Sequence, residues 1–175
     1  SYAFMVIMIS VLWLVVRAVV WSKQKRIEWK RELQLLLVYI CIIVVVRFTF
    51  CPFGKVDGKI QPLVFYKDNW FPFRINLLPF VYLFDYPALK EALLNLIGNT
   101  TMFIPVGIIW PMVFKKLDTP AKVIAAGVGF SFCIEILQLP FYDRVSDVDD
   151  LILNSLGYII GYGIYAGVRC MKQKN

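Results

Sequence analysis

Histidine is absent from this 175-residue chain. That excludes imidazole general bases, Ser-His nucleophiles and His-ligated metals. Cysteine is sparse. Cys41, Cys51, Cys133 and Cys170 form no CxxC pair and fall near the ends of different apolar runs. They read as small apolar residues, not as a disulfide or zinc set. There is no internal repeat and no low-complexity tract, so residues 1–175 read as one polytopic membrane domain.

What is abundant is apolar side chain. Hydrophobic residues make up 59% of the chain, against about 45–50% in a soluble domain. The excess is gathered into runs near 2–21, 33–50, 94–114, 120–139 and 147–168. Each approaches the roughly 20 residues that cross a bilayer. The third extends at its start toward Pro87. Tyr2–Trp21 lacks a basic leader and a small-residue cleavage site, so it reads as a span and not as a signal peptide. Thr119-Pro120 has the form of an N-cap followed by N1 proline, and Ser146-x-x-Asp149 that of a capping box.

The net charge of +7 belongs to topology, not to nucleic-acid binding. Lys23, Lys25, Arg26, Lys30 and Arg31 fill the first connection, Lys115 and Lys116 the third, and Arg169, Lys172 and Lys174 the tail. Five spans put these segments on one side, which the positive-inside rule assigns to the cytoplasm. The expected fold class is an all-α integral membrane protein of five transmembrane helices, N-terminus outside and C-terminus cytoplasmic. Its long outer loop has nine aromatics among the 22 residues from Phe65 to Tyr86, a composition suited to the headgroup region. Val56-Asp57-Gly58-Lys59 has the form of a tight hairpin turn.

Polar residues inside the spans gather at one depth. At 1.5 Å per residue, Glu135 lies roughly 6 Å inward of Leu139, with Gln138 on the same face. Asn95 and Asn99 are i and i+4 on the third helix, and Arg47 is one turn from the outer end of the second. Asp147, Asp150 and Asn154 share a face of the fifth. An intramembrane charge costs about 2.5–3.5 kcal/mol, so these groups need partners or a polar cavity. Arg47, Arg74 and Arg144 are candidate counter-charges. An outward-facing polar pocket is one reading. The plainer readings are capping for Asp147 and Asp149, interhelical hydrogen bonding for Asn95 and Asn99, and loop solvation for Asp143. Gly127-xxx-Ser131 and Gly157-xxx-Gly161 read as close-packing stripes. The aspartate spacing is not that of a calcium loop. No cofactor and no metal are expected. No nucleophile is recognisable, although a carboxylate base leaves catalysis open.

The motifs resemble those of the VanZ-like family. Arg74-Ile-Asn76-Leu-Leu-Pro79-Phe80 is similar to its RxNLxPF element, and Asn95 to Gly107 to its NxxGNxxxFxPxG element. Glu135-xx-Gln138 and Arg144 to Gly157 resemble its ExxQ and RxxDxDDxxxNxxG elements. The resemblance runs from Arg74 to about Gly161. The chain has Tyr158 and Tyr162 where related sequences often have small residues. The resemblance implies a multi-pass protein of the bacterial cytoplasmic membrane that lowers susceptibility to the lipid-tailed glycopeptide teicoplanin. The expected pocket residues are Arg74, Asn76, Asn95, Asn99, Glu135, Gln138, Arg144, Asp147, Asp150 and Asn154. The expected partners are the lipid bilayer and a lipoglycopeptide or envelope-lipid ligand. An enzyme modifying an envelope lipid or glycan, and a structural or partner-binding subunit, are the alternatives.

Overall fold

The structure is a computed structural model that describes residues 2–24, 26–50, 55–56, 59–60, 64, 74–81, 89–141 and 145–174. It contains α1 (Tyr2–Lys23), α2 (Trp29–Phe50), β1 (Lys55–Val56), β2 (Lys59–Ile60), β3 (Ile75–Asn76), α3 (Leu89–Val113), α4 (Pro120–Gln138), β4 (Ser146–Asp147) and α5 (Val148–Lys174). All five helices are long and apolar enough to cross a membrane. In lipid the backbone can satisfy its hydrogen bonds only within itself, and the helix does this segment by segment. The side chains agree. Phe4, Leu12, Leu94, Phe132 and Leu137 are each more than half exposed, as suits a surface bathed in acyl chains. The protein is a multi-pass membrane protein.

Helices run past the apolar stretches read from sequence, farthest at the start of α2 and the end of α5. α2 begins at Trp29, four residues before Leu33, and α5 continues to Lys174, six beyond Val168. Hydropathy marks only the part of a helix in lipid, whereas backbone hydrogen bonding continues into polar flanks. α4 begins at the expected residue. Thr119 has extended backbone (φ −123°, ψ 150°) and its side chain accepts from the Lys122 N–H.

The chain forms two compact units, Ser1–Pro62 and Leu63–Asn175. In the first, α1 and α2 are joined by Ser10 and Tyr39, whose hydroxyls are 2.6 Å apart. Near the connection they are joined by Arg17, whose guanidinium grips both carboxylate oxygens of Glu32. The Arg47 guanidinium lies 5.4 Å from the centre of the Tyr2 ring. β1 and β2 pair antiparallel with Val56 opposite Lys59, the register a two-residue turn requires. Asp57 and Gly58 themselves lie outside the described residues, as do residues 65–73 and 82–88 of the aromatic loop.

In the second unit α3 and α5 touch backbone to backbone. A Cβ at Gly157 would run into the Thr100 carbonyl, and one at Gly161 into the Ile104 carbonyl. The small-residue stripe is therefore a packing device, as its spacing implied. α4 lies against α5 through Tyr158, whose ring covers Gly127. Phe103, Val106, Val113, Val123 and Tyr158 are buried. Trp110 closes the cluster with its ring edge-on to Tyr158 at 6.1 Å.

Candidate functional site

The N-terminus of α5 is the focus of the second unit, and four segments converge on it. α5 itself supplies Asp149 and Asp150 in its first turn, with Asp147 immediately before it. The segment 74–81 reaches it through a parallel pairing of β3 with β4, Asn76 opposite Asp147. α4 presents Glu135 and Ser131. α3 presents Asn95 and Asn99.

The expected capping box does not form. The Ser146 N–H donates to the Arg74 carbonyl at 3.0 Å, so it is not available to Asp149. The cap is Asp147, whose Oδ1 accepts from the Asp149 N–H at 2.9 Å. This is N-cap chemistry one residue later than the sequence pattern suggested. The same Oδ1 accepts from Asn76 Nδ2 at 3.0 Å. Asn76 in turn accepts the Leu78 N–H through its own Oδ1 at 3.1 Å, an Asx turn. Asp149 is then free to leave its helix. Its Oδ1 accepts the Phe80 N–H at 2.8 Å. Phe80 has φ 62°, in the left-handed region that a residue with a Cβ rarely adopts.

Glu135 meets this end of α5 from the side. It is 4% exposed, and one of its oxygens accepts the Asp147 N–H at 3.0 Å. The carboxylates of Asp150 and Asp147 lie within electrostatic reach of it. On α3, Asn99 Nδ2 donates to Asn95 Oδ1 at 2.6 Å and also to Asp150 Oδ1. One turn deeper, fully buried Asn154 donates to Ser131 Oγ at 3.0 Å. Asn154 Oδ1 and the Tyr158 hydroxyl are buried with no partner among the described residues. A file of polar groups thus descends from Glu135 through Ser131 and Asn154 to Tyr158. This line carries polar groups deeper than the level at which the sequence gathered Glu135, Asn99 and Asp150.

Of the expected pocket residues, Asn76, Asn95, Asn99, Glu135, Asp147, Asp150 and Asn154 come together through these bonds. Gln138 is buried one turn beyond Glu135 at the end of α4. The Arg74 backbone is part of the site through its carbonyl, and its side chain is exposed. Arg144 lies outside the described residues. Arg47 belongs to the first unit. Two participants went unassigned from sequence. Asp149 was read as a cap, and nothing local signals that its carboxylate serves a distant backbone N–H. Ser131 was read as a packing residue, although its i−4 spacing from Glu135 placed it on the right face. Among the described residues, no group of three or more His, Cys, Asp or Glu side chains is placed to hold a metal ion.

A family model described as VanZ/LLP1 matches residues 36–169. The chain belongs to the VanZ/LLP1 family. The match covers most of α2 and everything from there to Arg169, so the whole polar site of this VanZ/LLP1 protein lies inside it. No curated protein and no solved structure matches the chain.

Chemically, the VanZ/LLP1 site is rich in acceptors. Its carboxylates accept hydrogen bonds within the unit and are set beside amides and backbone. Such a surface suits hydroxyls, ammonium groups or arginine side chains as partners.

Proposed function

We propose that this VanZ/LLP1 protein binds the polar head of an amphiphile at the outer face of the bacterial cytoplasmic membrane, and thereby lowers susceptibility to teicoplanin. The topology in this reading has the N-terminus outside and the basic connections in the cytoplasm. The α5 N-terminus then faces outward, and the aromatic loop lies among lipid headgroups beside it. Arg74 and Arg144 meet anionic groups of the ligand. Glu135, Asp147 and Asp150 orient those arginines or accept from sugar hydroxyls and ammonium groups.

The observation that carries the reading is the burial of Glu135 against the Asp147 N–H. A carboxylate inside a span is costly, and it sits one turn from the end of α4, where a ligand head could reach it. The test is teicoplanin susceptibility of cells carrying Glu135→Gln, Arg144→Ala or Asp150→Asn at matched membrane levels. Loss of protection is the expected result. Unchanged protection in all three removes this site from the resistance function.

A structural role for the layer is the second reading. It is favoured by Asn99 on Asp150, Asn76 on Asp147 and Asn154 on Ser131, which join elements of the unit to one another. On that reading the same substitutions lower abundance and melting temperature in step with protection. On the first reading protection falls while both hold.

A further inference from the structure

The connection between α1 and α2 belongs to the first unit, and its chemistry is specific. α1 ends at Lys23 and α2 begins at Trp29. Both helices are apolar spans, so the residues between them lie at a bilayer surface. The connection and its flanks hold Lys23, Lys25, Arg26, Lys30 and Arg31 against two acids, Glu28 and Glu32.

One of those acids is withdrawn. Glu32 turns back to Arg17, which is buried within α1, with Arg17 Nε donating to Glu32 Oε2 at 2.9 Å. The Glu32 side chain is only 13% exposed. Glu28 is then the acid of this stretch that stays exposed, beside the exposed cations of the connection. Lys23, Arg26 and Lys30 are exposed, while Lys25 lies outside the described residues. Apolar groups alternate with them: Trp21 and Ile27 are each 37% exposed, and Trp29 is 78% exposed.

Cations draw anionic headgroups to a juxtamembrane segment, and tryptophan favours the boundary between headgroup and acyl chain. A free anion would engage the cations but leave Trp29 and Ile27 in water. A lipid satisfies both. We propose that the α1–α2 connection binds the phosphodiester headgroup of an anionic phospholipid. Lys23, Arg26 and Lys30 hold the phosphate, and the Trp29 indole is seated at the acyl boundary. The Arg17–Glu32 pair serves the site by removing a carboxylate that would repel the headgroup.

The test is native mass spectrometry of the full chain, released from detergent containing equal phosphatidylglycerol and phosphatidylcholine. Wild type is expected to retain phosphatidylglycerol several-fold over phosphatidylcholine. Removing a charge near the surface changes binding roughly fivefold, so the triple variant Lys23→Gln/Arg26→Gln/Lys30→Gln should lose the preference. Glu28→Gln should raise phosphatidylglycerol retention roughly fivefold, a gain that misfolding cannot imitate. Trp29→Ala should lower retention of both lipids and leave their ratio unchanged. Equal retention of the two lipids by wild type overturns the proposal. So does a triple variant with undiminished preference, or Glu28→Gln without a gain.

Discussion

Asp149, in the first turn of α5, holds the main chain of Phe80 through a 2.8 Å hydrogen bond. The bond secures a residue whose φ of 62° is unfavourable for any side chain larger than glycine. Asp149→Ala should therefore cost about 1.5–3 kcal/mol, the range for a hydrogen bond to a charged group. Asp149→Asn keeps an acceptor oxygen and should cost less. Thermal melting in detergent measures both, and limited proteolysis within 74–81 should accelerate in the alanine variant. Phe80→Gly should melt within about 1 kcal/mol of wild type, because relief of the backbone offsets the entropy of glycine. Equal melting of Asp149→Ala and wild type would contradict the assigned bond.

The glycines of α5 should divide sharply. Gly157→Ala and Gly161→Ala drive a methyl group into backbone carbonyls of α3, which cannot swing aside. Each should cost at least the roughly 1–3 kcal/mol of overpacking and reduce membrane abundance. Gly163→Ala and Gly167→Ala meet nothing within 4 Å and should be neutral or slightly stabilising, since alanine is the better helix former. A uniform response across the four would mean that α3 and α5 are not in contact at these positions.

Tyr158 separates ring from hydroxyl. Its ring is 1% exposed and lies over Gly127, while its hydroxyl has no partner among the described residues. Tyr158→Phe keeps the packing and removes an unsatisfied polar atom, so stability should hold or rise by about 1–2 kcal/mol. Tyr158→Ala should lose about 3–5 kcal/mol to the cavity. Loss of stability in the phenylalanine variant would show that the hydroxyl has a bonding partner after all.

Arg17 and Glu32 form an ion pair in the first unit, with side chains 10% and 13% exposed. Glu32→Gln leaves a nearly buried guanidinium without its counter-charge and should cost about 3–5 kcal/mol. The double substitution Arg17→Met/Glu32→Leu should recover most of that, because a packed apolar pair avoids the desolvation of both charges. A double-mutant cycle on melting temperature reads the coupling. Additive losses would mean that the two side chains do not depend on each other.

Much of the fold was legible because its causes are local. An apolar run long enough to cross lipid must be helical, so the five spans follow from hydropathy. The start of α4 follows from Thr119 and Pro120. Helical periodicity put Asp147, Asp150 and Asn154 on one face, and Asn95 with Asn99 on another. Helix ends were less legible where polar flanks continue the hydrogen-bond pattern outside lipid, as at Trp29 and Lys174.

The sequence by itself determined the number of spans, the faces on which polar residues stand and the need of those residues for partners. All of these rest on spacing along the chain and the cost of leaving water. Only the tertiary structure decided which partners they take. The Ser146 N–H is claimed by the Arg74 carbonyl, so the cap passes from Ser146 to Asp147 and Asp149 turns to Phe80. One β3–β4 pairing, set by how distant segments meet, thus redistributes donors and acceptors that residue spacing had assigned differently.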